Sequence, residues 1–207
     1  MVSKADIDFY FDFASPYGYF MSEKIEVLAH RYGRRVVWRP VMLFAVLRAL
    51  GLPAPMDNPV KKNYMLADFE RSGRFLGVPY RLPDSFPIIT PHAARAFYWL
   101  QRQAPDAAVP FARAVLRAYW QQGRDIRDID LVAQLAIGAC AALGTHAQVC
   151  ELLRSEASKS LLQHAIAQAI QRQVFGSPFV LLDGEPFFGV DRLPQIEARL
   201  ARDPPLR

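Results

Sequence analysis

Residues 7 to 13 alternate without a break. Ile7, Phe9, Phe11 and Phe13 fall on one side and Asp8, Tyr10 and Asp12 on the other, and a period of two is the signature of a β-strand. From Ser15 the period lengthens: Met21, Ile25, Leu28 and Tyr32 recur at helical spacing, with Pro16 suited to the first turn and Gly33 to the stop. A second apolar run, RRVVWRPVML at 34–43, predicts another strand. The opening segment therefore reads as a β-α-β unit with parallel strands.

The pattern then turns helical and stays so. Helices are predicted from VKKNYMLADFERSGRFLG after the proline-rich GLPAPMDNP, from HAARAFYWLQRQ with Pro91 near its start, and from PFARAVLRAYWQQG. Two more follow, IDLVAQLAIGACAALG and the long HAQVCELLRSEASKSLLQHAIAQAIQRQ. The block is too long for a loop and too helical to continue the sheet. Alternation returns in SPFVLLDGEPFFGV, where Asp183-Gly184 marks a hairpin turn, and DRLPQIEARLAR closes the chain as a helix before DPPLR, a tail expected to fray. The fold class is α/β: residues 5–45 and 174–203 form the sheet domain and 46–173 an inserted helical subdomain.

Composition narrows the partners. The chain has 207 residues, 52% of them hydrophobic, enough for a sizeable core. Its net charge of +5 comes from Lys and Arg scattered along the chain rather than from a basic block, which argues against nucleic acid and favours a small anionic ligand. The start has no apolar signal region, and no stretch reaches the roughly 18 apolar residues of a membrane span. A cytoplasmic protein without membrane contact is expected. Cys140 and Cys150 have neither CxxC nor metal-ligand spacing and read as inert thiols, with no metal site.

Three positions carry candidate chemistry. Ser15 stands where a strand end meets a helix start, a place that suits either an N-cap or an anion-binding hydroxyl. No Gly-x-Ser-x-Gly elbow surrounds it, and His30, His92, His146 and His164 have no evident link to it. In GSPF the Ser177-Pro178 bond can be trans, as at most strand starts, or cis, which would turn the Ser177 backbone outward toward an extended peptide. Asp191 before the last helix suits a cap or a carboxylate for a ligand ammonium group.

Together, FDFASPYGYF, VFGSPF and FFGVDRLPQIE, in this order around a helical insert, resemble the 2-hydroxychromene-2-carboxylate isomerase family and its relatives, the kappa-class glutathione transferases. The resemblance implies a thioredoxin-like fold with a helical insertion of the DsbA type, carrying serine where the oxidoreductases have the first cysteine of CxxC. It implies glutathione as cofactor, with Ser15 hydrogen-bonded to its sulfur, Ser177 before Pro178 pairing with its cysteinyl part, and Val190 and Asp191 holding its γ-glutamyl end. KKNYMLAD adds Lys61 and Asp68, with Lys62 the alternative to Lys61. Leu52 and Ile89 depart from the family, standing where relatives often have asparagine.

The activity implied is isomerisation of 2-hydroxychromene-2-carboxylate or a related aromatic-degradation intermediate, with Phe13, Tyr17, Tyr19 and Phe20 near the small aromatic substrate or in the core. A kappa-like transferase and a non-catalytic thioredoxin-like binding module are the rivals. A homodimer is a further implication, with FYWL and AYWQ as either contact surface or core.

Overall fold

A computed structural model of the chain describes residues 6–202; Ala5, residue 203 and the rest of the DPPLR tail lie outside the described residues. Strand β1 (Ile7–Phe11) leads through helices α1 (Pro16–Ser22) and α2 (Ile25–Arg31) to β2 (Val36–Pro40). Seven helices follow: α3 (Leu43–Ala49), α4 (Pro59–Leu76), α5 (Pro91–Gln103), α6 (Pro105–Trp120), α7 (Ile129–Ala139), α8 (His146–Arg154) and α9 (Glu156–Gln171). The chain closes with β3 (Phe179–Leu182), β4 (Glu185–Phe188) and α10 (Leu193–Ala201). The sheet order is β2-β1-β3-β4, with β1 parallel to β2 and antiparallel to β3.

The alternation in the first strand sorts two clusters. Ile7, Phe9, Phe11 and Phe13 enter a large core that continues through Trp38, Phe97, Phe111 and Trp120, while Tyr10 joins Val41, Val46, Ala169, Val174 and Phe179 on the other face. That second face is not solvated, because α9 and α3 cover it; Tyr10 and Asp12 are both buried. At about 1.5–3 kcal/mol for each large apolar side chain fully buried, the alternating set outweighs any single polar contact nearby. Two hydrogen bonds pin the helical block to strand ends: Trp120 Nε1 donates to the Phe13 carbonyl at 2.9 Å and Tyr98 Oη to that of Pro40 at 2.7 Å.

Several boundaries differ from the sequence reading. The first helix is two, because Ser22 turns its hydroxyl onto the Tyr19 carbonyl at 2.6 Å and competes with the backbone ladder. The long helix from His146 also breaks in two, at Ser155, whose side chain caps α9 by accepting from Ser158 N–H. The strand predicted over 34–43 ends at Pro40, and α6 starts five residues before the expected Pro110, with Pro105 in its first turn. Of FYWL and AYWQ, Phe97, Leu100, Ala118, Tyr119 and Trp120 are buried in the core, while Tyr98, Trp99 and Gln121 are half-buried. The hairpin turn is as expected, with Asp183 and Gly184 at φ of 54° and 86°. Among the described residues no helix is long and apolar enough to cross a membrane.

Candidate active site

Ser15 ends the loop after β1 in extended conformation and caps α1, its Oγ accepting from Gly18 N–H at 3.1 Å. The same hydroxyl donates to the Ser177 carbonyl at 2.8 Å, across a sequence separation of 162 residues. The Ser177-Pro178 bond is cis. The loop is tied down on both sides: Ser177 Oγ accepts from Asp12 N–H at 2.8 Å, and the Pro178 carbonyl accepts from Gly189 N–H at 3.1 Å. A Cβ at Gly176 would overlap the Phe188 ring, so a larger residue there has to displace that side chain.

Beneath this junction lies Asp12, a buried carboxylate that sequence reasoning passed over. Oδ1 accepts from Ala14 N–H at 2.9 Å and from the Thr90 hydroxyl at 3.3 Å, and Oδ2 accepts from Leu43 N–H at 2.8 Å. Burial pushes its carboxyl above the usual range, and these donors oppose the shift only in part. Its sequence signal is weak, because Asp8 and Tyr10 precede it on the same face of the alternating segment.

A cavity of about 830 Å³ opens at the junction. Ser15, Lys61, Asp68, Ser177, Val190 and Asp191 all line it, so the fold gathers six of the seven predicted residues in one place; Pro178 shapes the loop without lining the space. Lys61 faces the cavity, whereas Lys62 does not. Asp68 is already engaged: Tyr17 Oη donates to it at 2.6 Å, Arg71 Nη1 at 2.7 Å and Ser72 Oγ at 3.2 Å. Burial first, and the Asp68 carboxylate second, push the Tyr17 phenol far above its usual range and keep it a neutral donor. Asp191 does not cap α10; it sits in the short 3-10 turn Val190–Arg192, with its carboxylate bonded to Arg192 Nη2 at 2.8 Å.

Of the four aromatics placed near Ser15, Tyr17 lines the cavity, while Phe13, Tyr19 and Phe20 are core. Most of the rest of the wall is apolar, with Phe44, Leu47, Met65, Phe69 and Phe86 among its members, and Asp12, Ser72 and Arg192 add polar groups. Leu52 faces the cavity too; Ile89 does not, its neighbour Ile88 doing so instead. Neither Cys140 nor Cys150 is at the start of α1, so the thiol pair of a disulfide exchanger is missing from that turn.

Comparison with known proteins agrees with this fold. The family model described as "DSBA-like thioredoxin domain" matches residues 6–201. The 2-hydroxychromene-2-carboxylate isomerase of Sphingobium xenophagum is 35% identical over 198 residues, covering 94% of this chain and 97% of the relative. Glutathione S-transferase kappa 1 of Caenorhabditis elegans is 27% identical over 213 residues, 97% of this chain and 92% of the relative. A solved structure of a 2-hydroxychromene-2-carboxylate isomerase superposes with a TM-score of 0.81 at 27% identity, covering 96% of this chain and 95% of that one. With its β2-β1-β3-β4 sheet, its serine-capped α1 and its cis proline loop, the chain belongs to the 2-hydroxychromene-2-carboxylate isomerase family of DsbA-like thioredoxin proteins, to which the kappa-class glutathione transferases are related.

Proposed function

We propose that the protein is a glutathione-dependent isomerase of 2-hydroxychromene-2-carboxylate or a closely related aromatic-degradation intermediate. The observation that carries this reading is the single cavity in which Ser15, the Ser177 loop, Lys61 and Asp191 meet an apolar wall. Its donor set fits the tripeptide. A γ-glutamyl end bears both an ammonium and a carboxylate, and the cavity supplies the Asp191 carboxylate for the first and the Lys61 and Arg192 cations for the second. The Ser177 loop, held open to an extended backbone, takes the cysteinyl part.

Bound glutathione would supply a thiolate that adds reversibly to the conjugated substrate and so allows rotation about a bond that was double. Ser15 stabilises that anion. A free thiol of pKa roughly 8.5 is mostly protonated at neutral pH, and a fixed hydroxyl donor lowers the cost of the charged form. Because the Ser15 proton is held by the Ser177 carbonyl, the hydroxyl turns from that carbonyl to the sulfur when it acts. The apolar wall excludes water and receives the aromatic ring, while Tyr17, anchored on Asp68, presents a neutral phenol beside it.

A spectrophotometric assay of chromene isomerisation, with and without glutathione, tests the reading: turnover that requires glutathione and does not consume it is expected, and no isomerisation under either condition overturns it. The kappa relatives, 27% identical, favour a transferase as the second reading; steady consumption of glutathione with a model electrophile, in the absence of isomerisation, would establish it.

A further inference from the structure

Away from the cavity, α7 and α8 bring together three side chains that the sequence keeps apart. His146 and Cys150, four residues apart, share one face of α8, and Asp130 stands in the first turn of α7. Cys150 Sγ lies 3.5 Å from Asp130 Oδ1 and 3.8 Å from His146 Nδ1, and His146 Nε2 lies 3.6 Å from Asp130 Oδ1. One ligand atom from each of the three falls within 4.8 Å of the others, and among the described residues this is the one such group.

We propose that Asp130, His146 and Cys150 form a binding site for a borderline divalent cation of the Zn²⁺ class. Bond lengths of about 2.0–2.3 Å from a tetrahedral Zn²⁺ to oxygen, nitrogen and sulfur put the ligand atoms about 3.3–3.6 Å apart; Cys150 Sγ and Asp130 Oδ1 already stand at 3.5 Å, and the imidazole, which faces Cys150 through Nδ1 and Asp130 through Nε2, has to turn to offer one nitrogen to the ion. The donor set of thiolate, imidazole and carboxylate selects Zn²⁺ over Mg²⁺ or Ca²⁺. Thiolate and carboxylate together balance the charge of the ion, and the Cys150 thiol proton passes to solvent when the metal binds. Exposure of Asp130 and His146 leaves the fourth position to water. None of the three residues lines the large cavity. The metal therefore clamps α7 to α8 and takes no part in the reaction proposed above.

Titration of the full chain with Co²⁺ reads the site directly. One equivalent is expected to bind with a sulfur-to-cobalt charge-transfer band in the near ultraviolet, abolished in Cys150→Ser, retained in Cys140→Ser and displaced by Zn²⁺. Loss of an outer partner alone costs about 10–100-fold in affinity, so loss of a direct ligand in Asp130→Asn or His146→Ala should weaken binding by at least about tenfold. Zn²⁺ should raise the melting temperature of the wild type and of Cys140→Ser but not of Cys150→Ser. Absence of the charge-transfer band, or a band that survives Cys150→Ser, overturns the proposal, whatever the outcome of the isomerase assay.

Discussion

Ser15 has two tasks that substitution can separate. It caps α1 and joins the Ser177 carbonyl, so Ser15→Ala should cost about 1–2 kcal/mol of stability, the sum of an ordinary cap and a neutral hydrogen bond. If the hydroxyl also stabilises a bound thiolate, a charged hydrogen bond of about 1.5–3 kcal/mol is lost too, raising the bound thiol pKa by about 1–2 units. Thiolate absorbance against pH, measured for both proteins, checks this; identical titration curves would leave Ser15 a cap alone. Asp12→Asn addresses the residue below. An amide nitrogen cannot accept from either Ala14 or Leu43 N–H, and one unpaired donor costs about 1–3 kcal/mol. The pH dependence has a definite sign. Burial raises the Asp12 carboxyl above its usual 3.8, so its contribution to stability is complete below that value and is lost as pH rises through the raised one. The stability of the wild type relative to Asp12→Asn should therefore fall across that window in denaturant titrations, and a constant difference would contradict the assigned shift.

Elements position these residues, and some of the positioning could be read in advance. Strand β1 was legible because its period is strict, and the Ser15 turn because serine and proline mark a helix start. The breaks at Ser22 and Ser155 were not, since in both places apolar spacing runs on while a serine side chain diverts the backbone. The resemblance favoured Lys61 and kept Lys62 as its alternative; the roll of α4 turns only Lys61 to the cavity. Lys61→Ala should raise the KM for glutathione and Lys62→Ala should leave it unchanged, and equal effects would remove α4 from the ligand's reach. The loop before β3 depends on Gly176 in the same local way. Gly176→Ala should displace Phe188 and weaken glutathione binding, with Phe188→Ala restoring it in the double variant; failure of that rescue would show that the ring is not what the new methyl meets.

At the scale of the whole molecule, the helical block and the sheet share one core through Phe9, Phe11, Phe97 and Trp120. Unfolding should accordingly be a single transition in which tryptophan fluorescence and far-ultraviolet circular dichroism coincide; two separated transitions would mean independent lobes. Fold order and Ser15, Ser177 and Asp191 could be picked out from the chain itself, and the resemblance added Lys61, Asp68 and Val190, whereas the Asp12 network and the Asp130, His146 and Cys150 group were not seen. Both depend on contacts between elements: no periodicity connects Asp12 with Thr90 and Leu43, or Asp130 with the His146 and Cys150 pair. The bond from Ser15 to Ser177 carries a final consequence. It is a latch with one proton in it. Opening it gives up a neutral hydrogen bond of about 0.5–1.5 kcal/mol, and a bond to an anion returns about 1.5–3 kcal/mol. On the function proposed above, a thiolate would open the latch and an uncharged thioether would leave it shut, so glutathione should bind more tightly than its S-methylated form in wild type and equally with it in Ser15→Ala, as competition binding at a pH above the bound thiol's pKa would measure.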